Sequence, residues 1–318
     1  MTASTRPGVA RRLYRGAVRG TVETLCRLGW NVARSRDYYS PLPVFSALAR
    51  HRARWDRPSA LGGVRFDLDS MRERVLRLLS EHGEEYGALP AYDALKARGY
   101  GPGFTLLDGM FLYLVLRSQK PRRFVEVGSG LSTCYASLAI AANAREGAPG
   151  AITCIDPNVG GGVRALECVE VVPREVQDVA PAFFAELERG DVLFIDSTHV
   201  VRLDGDVPHL YLEVVPALAP GVVVHAHDVH FPYNIPFPAE QYVMGRTWPT
   251  LWTEAMLVQA FLAFNSSFQV ILSLPLLRHH DEDFLRRSIP GYRPVEPSDY
   301  DTHFGSLWFE RALQPYSR

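Results

Sequence analysis

The sequence predicts an α/β fold: a doubly wound, mostly parallel sheet behind an N-terminal helical cap. Two observations carry this. After Pro121, short β-branched runs alternate with helical stretches, the pattern of a parallel sheet with crossover helices. The first hundred residues hold helical and irregular patterns but no strand-like run. The expected division is therefore a cap or substrate lid over 1–100 and a cofactor-binding domain over 101–318.

In chain order, the cap contains an arginine-rich stretch in which Arg6, Arg11, Arg12, Arg15, Arg19 and Arg27 interleave with apolar residues at near-helical spacing. That pattern suits a solvated helix packing on its own domain or a partner, and it also suits attachment to a membrane surface. A loop with Tyr38 and Tyr39 follows. A helix is expected over 67–83, with Ser70 and Glu73 as a capping pair and Gly83 as its end, and a second, apolar helix over 104–119. The strands are then expected at 124–127, 152–155, 169–172, 192–195 and 222–225, with two more at 268–272 and 306–310. Between the fourth and fifth, Asp206 is a candidate N-cap for a helix presenting Val207, Leu210, Tyr211, Val214 and Leu218 on one face.

With 34 basic and 35 acidic residues the net charge is −1, which leaves no overall field to recruit nucleic acid, so a small-molecule partner is expected. Cys26, Cys134, Cys154 and Cys168 show no CxxC spacing, and the last three sit in apolar runs, as buried thiols do. A reducing cytoplasm is the expected compartment. No apolar run approaches the roughly 18 residues that span a bilayer.

The first chemical motif follows the first strand: Glu126, Val127, Gly128, Ser129, Gly130, Leu131 and Ser132 form a tight glycine turn opening a helix. Missing side chains let a cofactor approach the backbone closely. A nicotinamide dinucleotide fits poorly, because Thr133 replaces the third glycine of that fingerprint and the Glu126 carboxylate would repel a pyrophosphate. The carboxylate suits instead the ammonium of the methionine moiety of S-adenosylmethionine (SAM), directly or through water. Asp156 ends the second strand 30 residues further on, placed to accept from ribose hydroxyls, with 143–150 absorbing the extra length as a loop.

The second motif lies beyond the fourth and fifth strands, where Asp196, His199, His227, Asp228 and His230 gather at the sheet edge that carries ligands in open parallel sheets. Burying these groups unpaired would be costly, so they read as a functional cluster. After them, Tyr233, Tyr242, Trp248 and Trp252 lie in or beyond an aromatic, proline-rich loop, forming either a substrate wall or a contact in a homo-oligomer. Tyr38 and Tyr39 are candidates to close the pocket, and His230, Tyr233, Trp248 and Trp252 to line it.

The stretches 124–133, 191–199 and 221–230, with Asp156, resemble class I SAM-dependent methyltransferases, in particular the bacterial group related to macrocin O-methyltransferase and cephalosporin hydroxylase. The resemblance implies a Rossmann-like, seven-stranded sheet ending in an antiparallel pair. It places adenine near Gln177 or Asp178. It also implies O-methylation of a small natural product or sugar-containing acceptor, with an oxidative enzyme or an N-methyltransferase as alternatives. In the catechol-type relatives, positions matching Asp196, His227 and Asp228 hold a divalent metal and the position of His199 supplies a base. A nitrogen ligand at His227 suits a transition ion better than magnesium. Without metal, His199 or His227 would be the base, oriented by Asp228 or Asp196.

Overall fold

The computed structural model describes residues 9–35, 37–101 and 103–313. Arg6, like the side chains of Arg11 and Arg12, lies outside what is described. The chain forms two compact units, Met1–Trp55 and Asp56–Arg318. The division falls at residue 55, not near 100, because the helix Leu68–Gly87 packs against the helices Leu106–Gln119 and Leu274–Ser288, burying Met71, Val75 and Leu78 in the core of the second unit.

The first unit contains the long helix Val9–Arg27 and short turns through Phe45–Leu48 and Arg52–Trp55. The second is built on strands β1 (Arg123–Val127), β2 (Ala151–Ile155), β3 (Val169–Val172), β4 (Val192–Ile195), β5 (Val223–Ala226), β6 (Phe268–Ser273) and β7 (Leu307–Arg311), arranged β3-β2-β1-β4-β5-β7-β6. Strands β1 to β5 are parallel, and β7 runs antiparallel to both β5 and β6. Every residue of β4 and β5 is buried, as expected of central strands covered by helices on both faces.

Local details differ from expectation for physical reasons. Asp67, rather than Ser70, caps the 68–87 helix by accepting from the Ser70 amide. That helix runs through Gly83 to Gly87 because its last turn is needed: Tyr86 stacks near Tyr113 and Tyr135, and Glu85 holds the buried Arg117. Arg117 is also held by Glu146 and Asn143, so Asn143 lies in the helix Leu131–Arg145 rather than in a loop. Gly205 occupies the N-cap before Asp206, whose carboxylate accepts instead from the backbone and hydroxyl of Thr198. The face Val207, Leu210, Tyr211, Val214 and Leu218 is buried as expected, through a π-helical turn at Leu210–Val214. Cys134 and Cys154 are buried, but Cys168, next to the edge strand β3, is exposed.

Candidate functional site

The turn after β1 closes against the end of β4. Gly128 has φ +90, and a Cβ there would lie 2.2 Å from the Asp196 carbonyl oxygen, so only glycine fits. The Leu131–Arg145 helix is anchored from below: Ser132 donates to Glu126, Thr133 Oγ1 donates to it at 2.5 Å, and Cys154 Sγ lies 3.0 Å from it. Glu126 is fully buried with both oxygens engaged, and burial pushes its carboxyl up to about 7. The residue expected to face a ligand thus serves as the support of the turn.

Above the turn lies a cavity of about 420 Å³ lined by Gly128, Ser129, Asp156, Gln177, Asp196 and Arg202, among others. Asp156 accepts from Ser129 Oγ at 2.5 Å and from the Asn158 amide at 2.7 Å, with its carboxylate at the cavity wall. Gln177 donates to the Asp204 carbonyl at 3.2 Å, while its buried Oε1 has no hydrogen-bond partner among the described residues. Asp178 is exposed and does not line the cavity. Gly130 and Ser132 are buried behind the turn.

Beside this cavity the acids and histidines converge. One donor atom each from Asp196, His227 and Asp228 lie within 4.8 Å of one another. His227 Nδ1 stands 3.3 Å from Asp196 and 3.6 Å from Asp228, and its Nε2 stands 3.3 Å from Asp108. Asp108 in turn accepts from Thr105 Oγ1 at 2.7 Å and Ser306 Oγ at 2.6 Å, and Ser306 Oγ meets His225 Nε2 at 2.8 Å. A carboxylate behind one imidazole nitrogen fixes the ring so that the other faces the site, the arrangement commonly found behind metal-bound histidines. The structure fits an ion on charge as well. Four carboxylates, Asp108, Asp196, Asp228 and Glu254, stand against the two imidazoles of His199 and His227, so a cation would offset the acidic excess.

Two residues at this rim, His199 (φ +59) and Asp228 (φ +57), adopt the left-handed backbone conformation, which His and Asp tolerate better than most other side chains. Asp228 is wedged by Gly305, where a Cβ would come within 2.9 Å of the Asp228 Cα.

His199 does not stand free in the pocket. Its Nε2 lies 3.2 Å from Asp196 and 3.4 Å from Asp228, and Nδ1 lies 2.6 Å from Glu254, which Tyr211 also holds at 2.7 Å. Burial works against its charge, but the surrounding carboxylates outweigh burial and hold the imidazolium up to about 10. His227 is likewise raised well above the usual range against burial, by Asp228, Asp196 and Asp108. Burial also opposes ionisation of Asp196, yet His227 and His199 keep it below the usual carboxylate range. Burial raises Asp228 to about 6, against the pull of the same histidines. The upward shifts of both imidazoles depend on the carboxylate charges of Asp196 and Asp228, which a bound cation would neutralise.

Of the expected substrate residues, Trp252 reaches the rim, its ring 4.7 Å from that of His199. His230 is buried, bonded to the Asp228 carbonyl at 3.1 Å and lowered to about 3 by burial. Tyr233 packs on Phe237 at 4.4 Å, and Trp248 is exposed. Tyr38 and Tyr39, both exposed, lie in the first unit and pack edge-on against each other. Asp108, Glu254 and Ser306 were not foreseen. The one available signal was a lone acid, Asp108, inside the otherwise apolar run 104–116.

The topology, with β7 inserted antiparallel between β5 and β6, a glycine turn after β1 and acids after β2, β4 and β5, defines a Rossmann-like, doubly wound sheet with its candidate site at the carboxyl ends of the parallel strands. Residues 125–229, about a third of the chain, match a family model described as a methyltransferase domain. That span runs from β1 to just past β5 and includes the glycine turn, Asp156 and the Asp196, His227 and Asp228 group. No protein of curated function matches the sequence. Among solved structures, the chain is similar to the O-methyltransferase TomG from Streptomyces achromogenes, involved in tomaymycin synthesis and in complex with SAM. The identity is 14%, covering 79% of this chain and 92% of that one, with a TM-score of 0.40. It is also similar to an O-methyltransferase from Bacillus cereus in complex with S-adenosylhomocysteine (SAH), at 12% identity over 76% of this chain and 100% of that one, with a TM-score of 0.39.

Proposed function

We propose that this methyltransferase takes the methyl group of SAM and transfers it to a hydroxyl oxygen of a small metabolite, at a rim where Asp196, His227 and Asp228 hold a divalent ion. The observation that carries the reading is the double position of Asp196, which lines the cofactor cavity and belongs to the three-ligand group. An acceptor oxygen held there would lie beside the methyl donor. Asp156 would take the ribose hydroxyls and Gln177 Oε1 the adenine amino group. A bound divalent ion would lower the pKa of the acceptor hydroxyl. The released proton would pass to water, because Asp196 and Asp228 are engaged by the ion in this reading. His199, locked between Glu254 and the two aspartates, is a positioning residue in this reading, not the base. The acceptor class, a polyhydroxylated or sugar-bearing natural product, is supported by the resemblance to macrocin-type enzymes. We further propose that 92–101 forms the part of the cap nearest the cofactor, because the Tyr100 carbonyl would stand 3.3 Å from a Cβ at Gly130.

The test is calorimetry with SAH, with and without manganese, followed by mass analysis of hydroxylated acceptors incubated with SAM. Metal-dependent gain of a methyl group is expected. Gain of an oxygen instead, or turnover indifferent to a chelator, would overturn the oxygen-methylation or the metal reading respectively.

A further inference from the structure

The overall charge of −1 conceals a separation. The unit Met1–Trp55 carries eleven arginines against only Glu23 and Asp37, a net +9, whereas residues 56–318 carry 23 basic and 33 acidic residues, a net −10. Arginine is the sole basic type in the first unit apart from His51. So one-sided a segment carries its own local field, which the whole-chain balance hides.

The helix Val9–Arg27 concentrates that charge and is amphipathic. Val18, Val22 and Leu25 are partly buried within their own unit, but this does not use up the apolar surface. Leu13 is 69% exposed, Tyr14 66% and Leu28 69%, and Trp30 and Val32, just past the helix end, are 50% and 48% exposed. Arg15, Arg19 and Arg27 are exposed as well, and the helix's single acid, Glu23, is taken by Arg19 at 2.7 Å. On a helical projection Leu13 and Tyr14 fall on one arc, with Arg15 and Arg19 on the opposite one, and Leu28 directly follows the last helical residue.

We propose that this unit docks on an anionic phospholipid surface, with the Val9–Arg27 helix lying in the plane of the interface. Leu13, Tyr14 and Leu28 enter the boundary between headgroups and acyl chains, and the arginines engage lipid phosphates. High amphipathicity with low overall hydrophobicity, arginines on one arc and Leu and Tyr on the other, distinguishes such a helix from one that spans. No described helix is long and apolar enough to cross a membrane, so the contact is with a surface. Charge complementarity selects the occupant, because a net +9 is matched by an anionic leaflet. The apolar arc separates this from nucleic acid, whose backbone offers nothing to Leu13 or Leu28.

The experiment is flotation of the full chain with vesicles of phosphatidylcholine, with and without phosphatidylglycerol, across a salt series, alongside the triple variant Arg15→Glu, Arg19→Glu, Arg27→Glu and the variant Leu13→Ser, Leu28→Ser. Binding to the anionic vesicles alone is expected. It should weaken with salt, fall more than a hundredfold in the charge-reversed variant, and fall about tenfold or more in the serine variant. Thermal melting of each variant shows that 56–318 remains folded. Equal binding to neutral vesicles, no binding at low salt because the unit docks elsewhere, or tighter binding to duplex DNA than to anionic vesicles would each overturn the proposal.

Discussion

Replacing Asp156 tests the cofactor cavity most directly. Its Oδ1 accepts from the Asn158 amide at 2.7 Å and its Oδ2 from Ser129 Oγ at 2.5 Å, so the carboxylate is fixed at the wall with lone pairs left for two ribose hydroxyls. Hydrogen bonds to a charged group contribute about 1.5–3 kcal/mol each. Two that share one acceptor group are not additive, and Ser129 can re-pair with the ligand, so Asp156→Ala should cost about 2–4 kcal/mol. That corresponds to SAH binding about thirtyfold to a thousandfold weaker. Asp156→Asn separates the charge from the loop. It keeps an acceptor for the Asn158 amide, loses the carboxylate, and should weaken binding about tenfold with little change in melting temperature. Calorimetric titration of SAH into the three proteins, paired with thermal melts, reads both quantities. If both variants bind SAH as the parent does while remaining folded, the cavity beside Gly128 is not the ribose site.

Gly128→Ala should destabilise the protein by about 2–5 kcal/mol and abolish SAH binding, because its Cβ would collide with the Asp196 carbonyl in a left-handed backbone; thermal melting and calorimetry check this. Asp108→Asn should lower manganese affinity about 10- to 100-fold while leaving SAH affinity unchanged, measured by titration of the ion and of SAH separately. Glu126 is raised to about 7 in the folded protein, so the folded state holds its proton longer than the unfolded chain. Its contribution is full below about 4.5 and is lost as pH rises through about 7, on the order of 3 kcal/mol in all. Denaturant unfolding should show that decline flattened in Glu126→Gln. A chain beginning at Asp56 should fold. One beginning at Gly101 should not, because it lacks Met71, Val75, Leu78 and Leu95, whose burial contributes about 1.5–3 kcal/mol each, together comparable to a domain's whole stability. Circular dichroism of the two truncations distinguishes these outcomes.

The strands were legible because a buried parallel strand is written locally, as a β-branched run. β3 and β4 fall where the runs do, and β5 and β7 are displaced by a single residue. The glycine turn and the acids at strand ends were legible for the same reason, since topology carries strand ends to one edge. What escaped was everything supplied across the fold. Asp108 meets His227 from 119 residues away, Glu254 meets His199 from 55, and Ser306 meets Asp108 from 198. The three-residue spacing of Asp196 and His199 correctly brought them together, but it could not reveal that Glu254 occupies the other ring nitrogen, the contact that changes the histidine's role. Likewise, an acid before a glycine turn reads as a ligand group. Only the hydroxyls of Ser132 and Thr133 beneath it show that it supports the turn.

The position of β7 bears on how the protein is made. It follows β5 and β6 in sequence yet lies between them in the sheet, hydrogen-bonding to β5 on one side and β6 on the other. During synthesis, at about 5–20 residues per second, the ribosome delivers β7 roughly 4–16 s after β5. Without β7, the Val223–Ala226 strand has an open apolar edge, the kind that can pair with another chain. Ser306, which touches Asp108 from the start of this strand, reaches the site in the same step. The strand that closes the sheet therefore also brings the hydroxyl that supports Asp108 behind His227.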